Sequence, residues 1–133
     1  SKRLLTALAL ATSGAPELYG EALLARANVC ALSGRQEAVI PPLEALLRGG
    51  VGGLTPRLVV QLHSNLAWLY CGTGRFGEAL PLYERAVALA EAHGDRYWWV
   101  WSVANWLYCC LELGRPEAAL PGAERALVHR HYD

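Results

Sequence analysis

Apolar residues recur at spacings of three and four along most of this chain, the periodicity of helices with one packed face. Leu23, Ala27 and Cys30 mark such a face between Glu17 and Ser33. Leu62, Leu66, Ala67 and Tyr70 mark a second, which runs to about Gly72, and Ala79, Tyr83, Ala86 and Val87 a third, from Arg75 to about His93. The same reading predicts helices from Arg35 to about Arg48, Arg96 to about Leu113 and Arg115 to about His131. Gly34, Gly74 and Gly114 close three of them, because glycine accepts the left-handed conformation that ends a helix. Thr55 before Pro56 reads as a cap followed by a first-turn proline, and Asp95 as a second cap.

The punctuation is periodic. Gly34-Arg35, Gly74-Arg75 and Gly114-Arg115 are 40 residues apart, and the step continues through Pro41, Pro81 and Pro121 and through Glu44, Glu84 and Glu124. Pro16 likewise precedes Pro56 by 40 residues. A period of this length means stacked small units rather than one closed globule. The predicted fold is all-α, a superhelix of antiparallel helix pairs. Three repeats are expected at 14–48, 54–93 and 94–133, and residues 1–13 as the end of a preceding repeat's helix. An interior proline costs a helix about 3 kcal/mol. Three in register therefore predict a kink shared by the second helices. The glycine-rich run from Gly49 to Gly53 reads as a flexible connector, since no Gly-Lys-Ser/Thr follows to make it a phosphate loop.

Composition narrows the partners. With 53% hydrophobic and 18% charged residues, an ordered core is expected. The 12 basic and 12 acidic residues cancel, which leaves no electrostatic reason for a nucleic acid or an anionic membrane as partner. Lys2 is the sole lysine and Ala, Leu, Arg and Gly predominate, as in a GC-rich genome. No Met is present, so the chain reads as a piece of a longer protein, and the apolar run at residues 1–12 is too short to span a bilayer. Cys30, Cys71, Cys109 and Cys110 form no CxxC pair and read as free buried thiols of a cytoplasmic protein.

From Asn65 to Tyr70, then from Gly74 to Ala79, then at Tyr83 and Ala86, the chain resembles a tetratricopeptide repeat. Ala67, Tyr70, Gly74, Ala79, Tyr83 and Ala86 match that family in type and spacing. The third unit matches at Gly114, Ala119 and Ala126, with Cys110 and Ala123 in place of aromatics; the first matches at Ala27, Gly34 and Leu43. The period of 40 exceeds the family's usual 34. Such long units resemble those of large bacterial, in particular actinobacterial, signal-responsive transcription regulators, and those of kinesin light chains. The resemblance implies a protein- or peptide-binding module within a larger cytoplasmic regulatory protein, without enzymatic activity and without a cofactor.

In this family the first helices line a concave groove. The corresponding stripe is Glu21, Leu24, Asn28 and Ala31, then Gln61, Ser64, Asn65, Trp68 and Cys71, then Trp101, Ala104, Asn105, Tyr108 and Glu112. The candidate binding residues are Asn28, Gln61, Ser64, Asn65, Trp68, Trp101, Asn105 and Tyr108. Asn65 and Asn105 are one period apart and suit an asparagine ladder that grips an extended backbone. Bonding to a neighbouring helix or to water is the alternative. Trp101, Tyr108 and Trp68 are expected on the groove side, Trp101 and Trp68 as binding anchors, and the other aromatics of the 97–108 cluster, Tyr97 and Trp98 among them, in the core, with Trp99 and Trp106 beside Val103. Lys and Arg that would clamp a carboxylate tail are missing from the groove, where Leu24, Trp101 and Asn105 stand.

Two other function classes stay open, a small-molecule sensor with an aromatic pocket and a passive scaffold or self-association module. For catalysis the signals are weak. His63 falls on a packed face, His93 at a helix end, and His129, His131 and Asp133 at the terminus fall short of a four-ligand metal site. Leu120, Ala123, Leu127 and Val128 lie on faces of the last helix that a following repeat would cover, which predicts a homodimer there or poor solubility.

Overall fold

The computed structural model describes residues 16–49, 51–119, 121 and 124. Among them every regular element is a helix: α1 (Pro16–Leu32), α2 (Gln36–Gly49), α3 (Pro56–Gly72), α4 (Phe76–His93) and α5 (Arg96–Glu112). Residues 116–119 open a further helix. The expected leading half-helix, the body of the last helix with Leu120, Ala123, Leu127 and Val128, and the cluster of His129, His131 and Asp133 lie outside the described residues. The fold is an all-α array of antiparallel pairs resembling tetratricopeptide repeats. α1 packs on α2 and α3, α3 on α4 and α5, and α2 and α4 each lie against the two first helices that flank them.

The recurrent Gly-Arg phrase is a helix-closing device made of backbone. Gly34, Gly74 and Gly114 have φ of 74°, 77° and 68°. At each, the arginine N–H that follows reaches back to a helix carbonyl: Arg35 to Cys30 at 2.7 Å, Arg75 to Tyr70 at 2.7 Å and Arg115 to Cys110 at 2.9 Å. These bonds satisfy carbonyls that the helix end would orphan, and only glycine takes the required φ without strain. Helix starts are equally legible. Thr55 Oγ1 accepts from Leu58 N–H at 3.4 Å and Asp95 Oδ1 from Trp98 N–H at 3.2 Å.

Pro41 and Pro81 sit inside continuous helices, as expected of the second helices, and so does Pro42, which the register did not single out. The carbonyls that lose a donor belong to Glu37, Ala38 and Gly77, all exposed. Water can therefore replace the missing bonds, which lowers the cost of an interior proline.

The core is a seam between first and second helices. Leu23, Leu43, Leu62, Leu69 and Tyr83 are almost wholly enclosed in its larger part. A second part gathers Val60, Ala86, Val87, Ala90, Trp99 and Val103. Trp99 is core, as expected, with its indole N–H donating to Glu91 Oε1 at 3.0 Å. Trp106 is partly buried against the larger cluster, whereas Tyr97, expected in the core, is exposed because no described element packs over the start of α5 on its side.

Successive first helices meet by a recurring rule. Glu17 Oε1 accepts from Thr55 Oγ1–H at 2.7 Å, and its Oε2 from Thr55 N–H at 2.9 Å. Arg57 Nε lies 3.4 Å from Asp95 Oδ2. Ser64 Oγ and Ser102 Oγ share a hydrogen bond of 2.9 Å in full burial. Each pair is 38 residues apart, so a first helix sits on the preceding one two residues short of a full period. Gly20 and Leu58 obey the same rule, and a Cβ built on Gly20 would come within 2.9 Å of Leu58 Cδ2. The α1–α3 approach is close because position 20 carries no side chain. Replacing Gly20 with Val should lower stability by about 1–3 kcal/mol through overpacking. Urea denaturation reads this directly; an unchanged midpoint would mean that α1 and α3 separate at no cost.

Candidate functional site

The predicted groove stripe divides in two. Its inner residues enter the junctions between first helices: Leu24, Ala31 and Cys71 are partly buried against the core, and Ser64 is wholly enclosed. Ser64 is thus corrected from a groove residue to half of a buried hydroxyl pair. The next first helix covers that position, and its hydroxyl is satisfied by Ser102.

The outer residues form rows across α1, α3 and α5, each row stepping by 40 residues. One row is Asn28, Trp68 and Tyr108, all exposed, with Trp68 at 39% and Tyr108 at 50%. A second is Glu21, Gln61 and Trp101, the last two half-buried, and a third is Ala25, Asn65 and Asn105. Asn28 therefore stands in line with the aromatics and not with the other asparagines. Ala25 holds the ladder position on α1, so the ladder has two rungs, one on α3 and one on α5.

Asn65 and Asn105 make equivalent bonds. Asn65 Nδ2 donates to the Gln61 carbonyl at 2.9 Å, and Asn105 Nδ2 to the Trp101 carbonyl at 2.8 Å. Neither expectation for these amides describes this contact with the residue four back in the same helix. It uses one of two N–H donors and sets the orientation of the amide. Among the described residues no hydrogen bond engages either Oδ1. Both oxygens remain available as acceptors, and Asn65 itself is 9% exposed.

The aromatic residues support one another edge to face. Tyr97 and Trp98 have ring centroids 5.5 Å apart, Trp98 and Trp101 5.4 Å, and Phe76 and Tyr108 6.2 Å. The Tyr108 phenol is held above its ordinary pKa, first by the nearby Glu112 carboxylate. An open hollow of about 530 Å³ lies on α5, lined by Arg96, Tyr97, Val100, Trp101 and Ala104.

A second hollow was missed by sequence reasoning. It occupies about 500 Å³ between α2, α3 and α4, floored by Leu47, Leu66 and Leu82 and edged by Glu44, Tyr70 and Glu78. The Tyr70 hydroxyl donates to Glu44 Oε2. Burial and that carboxylate push the phenol up to about 12. Arg75 lies 4.3 Å from the Tyr70 ring centroid and forks onto Glu78 with two bonds of 2.8 Å. The signal was Gly77 with Pro81, which leave α4 bare over this stretch.

Ionisable groups elsewhere serve packing. His63 Nδ1–H donates to the Val59 carbonyl at 2.8 Å, and burial lowers its pKa. Cys30, Cys71, Cys109 and Cys110 are free thiols; Cys109 donates to the Phe76 carbonyl at 3.2 Å, and burial pushes it up to about 12. Such a thiol is a poor nucleophile. Among the described residues no group of three or more His, Cys, Asp or Glu could hold a metal ion, and no helix is long and apolar enough to cross a membrane.

The helix pair at the centre of this surface has a known counterpart. Residues 62–97 match the family described as the tetratricopeptide repeat. The matched segment runs from Leu62 on α3 through α4 to Tyr97 on α5. Tetratricopeptide repeats are in general protein-interaction modules without catalysis. No curated protein and no solved structure matches the chain.

Two outcomes follow from the buried polar groups. Ser64→Ala or Ser102→Ala alone should cost about 1 kcal/mol, with a coupling of about 0.5–1.5 kcal/mol in the double mutant, measured by chemical denaturation. Independent, additive effects would refute a shared bond. His63 has a folded pKa below its unfolded value of about 6.5. Its contribution is fully present above that value and is lost as pH falls through the folded pKa. Thermal melts between about pH 7.5 and 5 should show this loss, and His63→Leu should flatten it.

Proposed function

We propose that the chain binds an extended peptide or protein segment across the exposed faces of α1, α3 and α5. The observation that carries this reading is the alignment of Asn28, Trp68 and Tyr108 in one row, with Asn65 and Asn105 one period apart in the row beside it. A ligand crossing α3 and α5 would meet aromatic faces at one edge and oriented amides at the other. Continued onto α1, it would meet Asn28 alone, because Ala25 offers no amide there. Trp and Tyr are favoured anchors, and an amide can pair with a peptide N–H through Oδ1. Trp101 and Gln61 border the same track. We place the module in a larger cytoplasmic regulatory protein, resembling bacterial transcription regulators, on the strength of the 40-residue period and the four free thiols. The 530 Å³ hollow beside Trp101 favours a second reading, an aromatic small-molecule effector at the third unit.

Selection from a library of extended peptides displayed on phage, followed by calorimetry, tests the proposal. Asn65→Ala and Asn105→Ala should each remove one or two bonds and weaken affinity roughly two- to a hundredfold. Trp68→Ala should cost about 2 kcal/mol or more. Melting temperatures should hold for Asn105→Ala and Trp68→Ala. Binders indifferent to all three changes would overturn the assignment of this face.

A further inference from the structure

The stacking rule that joins Ser64 to Ser102 sets a second pair together seven residues on. Cys71 of α3 meets Cys109 of α5, and the two thiols lie within hydrogen-bonding reach of each other. One period earlier the same rule pairs Ala31 with Leu69, both in the larger core cluster. Ordinary aliphatic packing serves there, so the junction itself does not call for sulfur at this place.

The two sulfurs differ in their surroundings. Cys71 is half-buried at the inner edge of the groove stripe, whereas Cys109 is wholly enclosed. The Tyr83 hydroxyl donates to Cys71 Sγ, and the Cys109 thiol is a second donor within its reach. Both favour the Cys71 thiolate against the burial that opposes it. The Cys109 proton instead rests on the Phe76 carbonyl, with its Sγ at 3.2 Å, and burial holds that thiol protonated. Of the pair, Cys71 is the thiol that meets a solute first, and Cys109 stands behind it.

We propose that Cys71 and Cys109 form a reversible, redox-sensing disulfide that ties α3 to α5, with hydrogen peroxide as the oxidant. The Cys71 thiolate attacks one peroxide oxygen. The O–O bond breaks, hydroxide leaves and takes up a proton, and Cys71 becomes a sulfenic acid. Cys109 Sγ then attacks Cys71 Sγ. The S–O bond breaks, the hydroxyl leaves with the Cys109 proton as water, and the S–S bond forms. The protein gives up two electrons and the peroxide is reduced to two waters. Contact between the sulfurs supplies the proximity that offsets the weak nucleophilicity of Cys109. A dithiol reverses the change by exchange. Such transient bridges are the usual form of a disulfide in a reducing compartment. The inference is independent of peptide binding along the exposed rows.

Peroxide treatment of the reduced chain in dilute solution tests it, with acid quench, alkylation and mass spectrometry. The single chain should lose two hydrogens and two alkylation sites, and dithiothreitol should restore both. Tryptic mapping should join the Cys71 peptide to the one that carries Cys109 and Cys110. Cys110→Ala should keep the bridge. Cys109→Ala should abolish it and leave Cys71 as a sulfenic acid that dimedone traps. The oxidised chain should melt roughly 5 °C or more above the reduced one, because the bridge restrains the unfolded chain. The mapping uses the unaltered sequence, so it decides the pairing even if a core cysteine variant folds poorly. A chain left unmodified, a product joined between two chains, or a bridge that survives Cys109→Ala overturns the proposal. A bridge that lowers the melting temperature also overturns it, since α3 and α5 would then have to part to form it.

Discussion

The contact on which this structure depends is the burial of one first helix by the next. A lone helix pair cannot enclose its own apolar stripe, so stability comes from the junction. Here the junction is tight enough to enclose a serine pair completely and to bring Leu58 Cδ2 within 2.9 Å of where a Cβ at position 20 would lie. Its polar edge recurs in place but changes in chemistry: a carboxylate meets Thr55 at one junction, and a guanidinium meets Asp95 at the next. In both, the residue that caps the following helix is tied back to the helix before it. Capping and stacking are thus one event.

The same constraint sorts the candidate binding residues. A position turned toward the next helix is consumed by packing, whatever its chemistry, and Ser64 is the clearest case. A position turned a little further round the helix stays in water, as Asn28, Trp68 and Tyr108 do. Asn65 and Asn105 stand at the boundary. Their bonds to carbonyls four residues back set the orientation of both amides.

Arg75 illustrates how one residue serves two levels of structure. Its backbone N–H closes α3, while its guanidinium covers the Tyr70 ring and forks onto Glu78. The ion pair is exposed and adds little by itself. The guanidinium over Tyr70 thus stands at the start of α4 beside a phenol whose hydroxyl donates to Glu44 of α2, at the edge of the second hollow.

The local rules were legible in the sequence because they act through neighbours along the chain. Glycine at Gly34, Gly74 and Gly114, the caps at Thr55 and Asp95, and the packed stripes around Leu62 and Tyr83 need only backbone chemistry and helical periodicity. Helical spacing also placed Trp99 in the core with Val103. What periodicity could not supply was the offset between adjacent units. A shift of two residues decides that Ser64 meets Ser102, that Glu17 meets Thr55 and that Gly20 lies under Leu58. That offset comes from the angle and depth at which whole helices settle, which depends on side chains distant in sequence. The sequence determined the helices and their repetition; only the tertiary structure decided which side of each helix was left exposed, because exposure is a property of what lies opposite.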